Sequence, residues 1–331
     1  MTTGVIVAAE RLADEVLFPA ALATDRSDVV PVELLDALAA AGLYGLSGPA
    51  SAGGLEADFP TVCAVIEALA SGCLTTTFVW VQHLGGVIEA AKSENEHVRE
   101  WAAPLCRGER RAGLALGGAV PGPPRLAGRA TDGGWTLNGS SPFVSGWGRV
   151  DVIYTAARTD DGQLVWALVD ARESETLSVE RLELVALNAT ATVRADFREH
   201  AIPAARVMSV VPYREGPTPP EVLRIHASLA LGVARRCCRL LGGTSLDEDL
   251  ANVRAELDRL DPLTIEAARG AAGELALRAA AGLAVETGSP SLLLSGHAQR
   301  LVREALFCLV YALRPGSRAA LLAQLDVRRP A

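Results

Sequence analysis

Residues 134–146 read G-W-T-L-N-G-S-S-P-F-V-S-G, and they mark the change from helical to strand-like sequence. Runs rich in β-branched and aromatic residues, bounded by turn residues, are the pattern of β-strands. Such runs fall at 135–137, 152–157, 164–169 and 192–197. The pair Asp161-Gly162 joins two of them and predicts a hairpin. The middle of the chain is therefore predicted to be a β domain.

Helical patterns flank this region on both sides. Leu34, Leu35 and Leu38 follow one another at helical spacing. They lie between Pro31 and Gly42, which are a start and a stop signal. Further helices are predicted at 59–69, 98–105 and, after the Pro- and Gly-rich link at 212–220, at 224–241, 267–284 and 299–313, the last of them stopped by Pro315.

The order of these elements predicts the fold class. Runs of strands between runs of helices, without strict alternation, indicate an α+β fold rather than a doubly wound parallel sheet. We predict an N-terminal helical domain at 1–111, a middle β domain at 112–211 and a C-terminal helical bundle at 212–331. A dinucleotide-binding fold is not predicted, because G-L-A-L-G-G at 113–118 lacks the G-x-G-x-x-G spacing.

Composition narrows the function classes. The chain has 331 residues, of which 50% are hydrophobic, and a net charge of −8. No basic run matches the footprint of a nucleic-acid-binding protein, and no uncharged apolar stretch reaches the roughly 18 residues that span a bilayer. The N-terminus also lacks the cationic start of a signal peptide, so we predict a cytoplasmic protein that binds neither nucleic acid nor membrane.

The six cysteines are scattered without the paired spacing of a metal site or the density of a disulfide scaffold. They are predicted to be small buried hydrophobic residues, and no metal is expected.

Several segments resemble the acyl-CoA dehydrogenase family, in the expected order, over about residues 30–325. Two segments are the most specific. The first is 134–146 together with the stretch from Asp151 to Ala157. The second is L-N-A-T-A-T-V-R-A-D-F at 187–197, which is followed by Ile202-Pro203. The L-Y-G-L-S-G-P…G-G-L segment at 43–55 is similar to a family loop, and 75–83 to the helix that follows it. The resemblance implies a fold that holds FAD between the β domain and the C-terminal bundle.

The resemblance also implies site residues. Backbone groups of Leu116, Gly117 and Gly118, through Ala119, and the residues Phe143, Val144 and Ser145 would line the flavin, with Ser145 as the side-chain donor. Trp80, His83 and Tyr311 fall where the family lines the cavity for the acyl group of acyl-CoA or another acyl thioester. The family resemblance further implies a homo-oligomer, or a hetero-oligomer with a paralogous subunit.

Where the family carries its catalytic glutamate, this chain has Ala312. Removal of an α proton from an acyl thioester requires a base within hydrogen-bond reach of that carbon. Some relatives carry the glutamate on the first helix of the C-terminal bundle, so Glu221 is a candidate catalytic base. Directly after Pro219-Pro220, Glu221 also suits the first turn of a helix, where the macrodipole favours an acid. His226, five residues later, is either a second proton-holding group or a packing residue.

Two cofactor segments also depart from the family. The R-x-x-F-G…Q segment that reaches a neighbouring subunit's cofactor is absent after Gly242-Gly243, and the flavin loop is represented only by L-G-G-A-V-P-G at 116–122. Three hypotheses follow: a flavin-dependent acyl-CoA dehydrogenase-like oxidoreductase, a catalytically silent structural subunit, or a flavin monooxygenase of the same fold.

Overall fold

The computed structural model describes residues 2–326. Its first third is helical, and a π-helical turn at Ala13–Leu17 joins the first two helices. The helices are α1 (Thr2–Leu12), α2 (Phe18–Asp25), α3 (Val32–Ala40), α4 (Phe59–Gly72), α5 (Leu74–Lys92), α6 (Glu96–Arg99) and α7 (Ala102–Cys106). The predicted signals around α3 are confirmed, since Pro31 precedes it and Gly42 follows it in the left-handed conformation. Asp58 caps α4 by accepting a hydrogen bond of 2.9 Å from the Thr61 N–H.

The middle third is one mixed sheet. Its strands are β1 (Ala112–Ala115), β2 (Leu126–Thr131), β3 (Gly134–Val144), β4 (Val152–Arg158), β5 (Gln163–Asp170), β6 (Leu177–Arg181), β7 (Val193–Pro203) and β8 (Val207–Pro212). They lie in the order β6-β7-β3-β2-β4-β5-β8, with β1 parallel to β4. The predicted strand runs are confirmed, as is the hairpin at Asp161-Gly162, which joins the antiparallel pair β4 and β5.

The last third is helical again. It contains α8 (Pro220–Leu241), α9 (Leu246–Asp258), α10 (Ile265–Thr287), α11 (His297–Val310) and α12 (Pro315–Gln324). The predicted helix at 299–313 ends earlier, at Val310. Pro315 does not stop that helix but opens α12, where its missing N–H and fixed φ cost nothing.

The N-terminal and C-terminal helices share one hydrophobic core, whereas the sheet has a core of its own. Leu35, Leu69 and Trp80 belong to the same cluster as Leu231, Leu275 and Leu301. The predicted α+β class with helices on both sides of a β domain is confirmed. All six cysteines are buried and free, as predicted. Within residues 2–326, no helix is long and apolar enough to cross a membrane.

Helix α5 lies against both the sheet and the C-terminal helices. A Cβ atom on Gly146, just after β3, would lie 3.3 Å from a methyl group of Val79. The preceding residue, Phe78, has its ring centroid 4.9 Å from that of Tyr311, just after α11. The segment after β3 and the residue after α11 therefore both pack against neighbouring residues of α5.

Candidate active site

The end of β3 exposes an aromatic side chain. The pairing of β3 with β7 shifts in register between Ser141 and Val144. Phe143, within this irregularity, has φ +56° and is 67% exposed, while Val144 is fully buried. A positive φ is unfavourable for a residue with a bulky side chain, and a large exposed aromatic ring gains nothing from burial. The isolated chain therefore leaves this strand end strained and uncovered.

The loop after β1 packs closely beside this strand end. The Gly117 N–H donates to Ser141 Oγ at 3.1 Å, and the Gly118 N–H donates to the Ala156 carbonyl at 2.9 Å. A Cβ atom on Gly117 would lie 2.5 Å from the Ser140 carbonyl oxygen, so only glycine allows this approach. Leu116, next to it, is 39% exposed.

These contacts do not support the prediction that the loop presents amide donors. The N–H groups of Gly117 and Gly118 are engaged as above, and that of Ala119 donates to the Leu116 carbonyl at 3.0 Å. The guanidinium of Arg158 closes the other side of the loop by donating to the Gly118 carbonyl at 2.9 Å and to the Gly122 carbonyl at 2.8 Å. What the loop offers to a ligand is the apolar side chain of Leu116.

Ser145 is the first member of a chain of three hydroxyl groups. Its Oγ lies 2.7 Å from Thr192 Oγ1, which lies 2.7 Å from Thr190 Oγ1. Thr190 donates its proton to the Leu187 carbonyl at 2.7 Å, because a carbonyl oxygen only accepts. Thr192 must then donate to Thr190, and Ser145 to Thr192. The prediction that Ser145 is a donor is therefore not supported: its Oγ is left as an acceptor, with the residue 5% exposed.

The helical side of the site is built around Tyr311. The tyrosine ring packs against Phe78 and, with 5.2 Å between centroids, stacks on Phe307. The ring centroid of His226 lies 4.8 Å from that of Tyr311. Burial raises the pKa of Tyr311, so it is no better a base than a free phenol. Ala312 follows it, exposed and with φ +50°.

The structure does not support Glu221 as a base. Its side chain is exposed in the first turn of α8, and it makes no hydrogen bond or ion pair with any residue in the described part of the chain. The interpretation that survives is an acid favoured by the positive end of the helix dipole.

Trp80 and His83 are buried structural residues rather than open substrate contacts. The Trp80 indole N–H donates to the Leu43 carbonyl at 3.2 Å. His83 accepts the Ala112 N–H at Nδ1, 2.9 Å away, and donates from Nε2 to the Leu105 carbonyl at 3.2 Å. Burial lowers the pKa of His83 to about 3, which is consistent with a neutral ring. Neither side chain has a polar atom left for a ligand.

A buried cation that sequence reasoning did not predict completes the cluster. Arg269 on α10 is 4% exposed, donates to the Tyr311 carbonyl and has a buried Nε without a partner. The sequence does contain a sign of this residue. Arg269 lies on the same face of α10 as the apolar residues Ile265, Ala272 and Ala276. A charged side chain at such a position needs an explanation.

Comparison with known proteins agrees with the observed fold. Residues 5–109 match the family model described as Acyl-CoA dehydrogenase, N-terminal domain. The solved structure of butyryl-CoA dehydrogenase from Megasphaera elsdenii is 16% identical, with a TM-score of 0.80 over 99% of this chain and 98% of that one. A glutaryl-CoA dehydrogenase from Mycobacterium smegmatis, solved in complex with FADH2, is 18% identical, with a TM-score of 0.79 over 99% of this chain and 95% of that one.

Among curated proteins, the chain is 25% identical over 199 residues to the 3-sulfinopropanoyl-CoA desulfinase of Paraburkholderia xenovorans. That match covers 57% of this chain and 51% of the relative, so the chain spans about half the length of the curated relative it matches. The fold and the matched N-terminal domain define the three-part architecture of the acyl-CoA dehydrogenases. The chain therefore has the fold of the acyl-CoA dehydrogenases, and its residues 5–109 match the N-terminal domain of that family.

Proposed function

We propose that the protein is a flavin-dependent oxidoreductase that binds FAD against the end of β3 and acts on an acyl thioester beside Tyr311. The observation that carries the proposal is Phe143, a strained and 67% exposed aromatic residue at the end of β3. An exposed apolar side chain held in an unfavourable backbone conformation is typical of a surface that a ligand covers.

The residues present fit an isoalloxazine ring. Phe143 and Leu116 offer an apolar surface on either side of the contact between Gly117 and Ser141, and Ser145 offers a hydroxyl acceptor beneath them. When bound, FAD supplies a two-electron acceptor and, once reduced, a reductant for oxygen. The chain's own contribution is to cover one flavin face and to place an acceptor at its edge.

The acyl group is proposed to lie against Phe78, Phe307 and Tyr311. No carboxylate is available there, because Ala312 occupies the base position and Glu221 is exposed to solvent. Removal of an α proton by a carboxylate is therefore unsupported. Flavin monooxygenase chemistry is favoured over α,β-dehydrogenation, because a separate flavin reductase would supply the two electrons, O2 would accept them, and no such base is needed.

An absorbance spectrum of the purified chain mixed with FAD tests the proposal. We expect a flavin spectrum that co-elutes with the protein, and a weaker one for Phe143→Ser. Val210→Ser, an exposed residue on β8, is the matched control and should bind FAD as the wild type does. Protein that ignores FAD would overturn the proposal.

Anaerobic mixing with butyryl-CoA then separates the two kinds of chemistry. We expect no flavin bleaching with the wild type and slow bleaching with Ala312→Glu, because φ +50° is tolerated at a cost of about 1 to 2 kcal/mol. Rapid bleaching by the wild type would show that a base other than residue 312 acts, and would reject the oxygen-dependent route.

The silent-subunit hypothesis remains the second candidate, motivated by Ala312 and by the short connection from Gly243 to α9. It predicts that the chain co-purifies with a longer paralogous subunit and binds FAD only with it. A homo-oligomer that binds FAD and turns over alone would exclude it.

A further inference from the structure

Arg269 is a buried cation without an anionic partner. Its terminal nitrogen donates to the Tyr311 carbonyl, its Nε has no partner, and it forms no ion pair with any of residues 2–326. Three other buried arginines have acidic partners: Arg224 pairs with Glu67, Arg236 with Asp14 and Arg300 with Glu304. Arg158 has none, but its guanidinium donates to the carbonyls of Gly118, Val120 and Gly122, and no nitrogen of it is left without a partner. The carboxylate of Glu266 acts on Arg269 electrostatically but lies outside ion-pair distance.

The groups around Arg269 include an imidazole and a second guanidinium, neither of which can neutralise its charge. The His226 ring lies against Tyr311, and its Nδ1 is also buried without a partner. Burial, and then the charges of Arg269 and Arg314, lower the pKa of His226 to about 3. Arg314 likewise forms no ion pair within the described residues. The surroundings of Tyr311 and Ala312 therefore contain two guanidinium groups without an ion-pair partner, and the carboxylate of Glu266 acts on Arg269 only from beyond ion-pair distance.

A buried guanidinium without a counter-ion is costly, because desolvation disfavours the charge and nothing offsets it. An anionic ligand that accepts from Nε removes this cost through a charge-assisted hydrogen bond. Phe78, Phe307 and Tyr311 contact one another with centroids 4.8 to 5.2 Å apart, so they fill the space that a long acyl chain would need.

We propose that Arg269 and His226 form a binding site for the anionic end of a short acyl thioester, such as the free carboxylate of a dicarboxylic monothioester. The inference rests on the proposed function, since it names the substrate class of the same site. Arg269 is the charge-recognising residue, and His226 Nδ1 is the second contact. The guanidinium suits a planar anion because its donors lie in one plane.

Succinyl-CoA and butyryl-CoA test the proposal, because both carry four-carbon acyl groups and differ in a terminal carboxylate against a methyl group. Calorimetric titration of the FAD-treated full chain should give about tenfold or tighter binding of succinyl-CoA. Arg269→Met should reduce the affinity for succinyl-CoA about tenfold and leave that for butyryl-CoA unchanged. Arg278→Met, which removes an exposed arginine from the same helix, should change neither.

The outcomes are distinguishable. Equal affinity for the two thioesters in the wild type overturns the anion site and leaves the proposed function standing. Binding of neither thioester overturns both. If inorganic phosphate displaces both thioesters and Arg269→Met weakens both alike, Arg269 binds a phosphate of the carrier, which also overturns the proposal. If Arg269→Met fails to fold, the comparison of succinyl-CoA with butyryl-CoA in the wild type still decides the question. Arg269→Lys keeps the charge but not the planar donors, so it should retain part of the preference for succinyl-CoA.

Discussion

Helix α8 carries Arg224 and His226 two residues apart, and they face two very different environments. Around Arg224 every charge is matched: its guanidinium binds Glu67 at 2.9 Å and Asp258 at 2.8 Å, and Arg254 binds the other Glu67 oxygen at 2.9 Å. Around His226, the guanidinium groups of Arg269 and Arg314 have no acid within ion-pair distance among the described residues, and the imidazole Nδ1 has no hydrogen-bond partner there.

At about 100° per residue, these two positions point to nearly opposite sides of the helix. The side of α8 that carries Arg224 joins this helix to α4, and all its charges have partners within the fold. We therefore assign it to the stability of the fold. The unmatched side adjoins Ala312 and Tyr311, and its missing charge is most simply supplied by a ligand. Arg224 and Arg269 are both buried, so an acidic partner, and not burial, is what distinguishes the first from the second.

The largest expected effect comes from breaking the matched side. Arg224→Met should lower the free energy of unfolding by about 3 to 5 kcal/mol, because it leaves the buried Glu67 and its partners without their central cation. Urea denaturation followed by circular dichroism measures this. Adding Glu67→Gln should recover part of the loss, and a single variant as stable as the wild type would contradict the assignment.

A second test concerns two histidines: His83 on α5, which is buried, and His226 on α8, which is half-buried. His83 has both ring nitrogens bonded, so His83→Phe should cost about 2 to 4 kcal/mol by leaving the Ala112 N–H and the Leu105 carbonyl unpaired. His226→Phe removes no hydrogen bond seen in residues 2–326 and should be close to neutral at pH 7.5. The free energy of unfolding of both variants is measured by denaturant unfolding. Equal decreases would contradict the expected difference between a histidine with hydrogen-bond partners and one without them.

The pH dependence of stability sharpens the same contrast. His226 has a pKa of about 3 in the folded chain, against about 6.5 when unfolded, and it faces Tyr311, Arg269 and Arg314. Below pH 6.5 the unfolded chain binds the proton and the folded chain does not, so stability is lost as pH falls towards 3.

Between pH 7.5 and 5.5 this histidine should account for about 1.4 kcal/mol of lost stability. His226→Phe should therefore lose that much less than the wild type over the same interval, measured by urea denaturation at both pH values. The other histidines are common to both proteins and cancel in the comparison. The same pH dependence in both would mean that the His226 ring is solvated rather than held neutral.

The fold could be predicted from the sequence because its signals are local. Apolar spacing, Gly42 and Asp161-Gly162 each act within a few residues, and the structure has the helices and strands they indicate. Pro315 was misassigned because proline is compatible with the position after one helix and with the first turn of the next. Only the packing of α12 shows that Pro315 lies in the first turn of a new helix.

The site was predictable only in part, because its chemistry depends on partners distant in sequence. The segment at 143–145 was found by resemblance, but the donor direction of Ser145 is set by Thr190 and Thr192, in the segment just before β7. Arg269 was missed because its lack of a partner is a property of α8, α10 and α11 together. No short window of sequence contains that information.

The smallest expected effect on stability is that of Arg269→Met, and it completes the comparison with Arg224→Met. The substitution removes an unmatched buried charge, which is favourable, and leaves the Tyr311 carbonyl without its donor, which is unfavourable by a similar amount. The free energy of unfolding without ligand should therefore stay within about 1 kcal/mol of the wild type, measured by urea denaturation. A loss as large as that of Arg224→Met would mean that Arg269 is matched within the fold and needs no ligand.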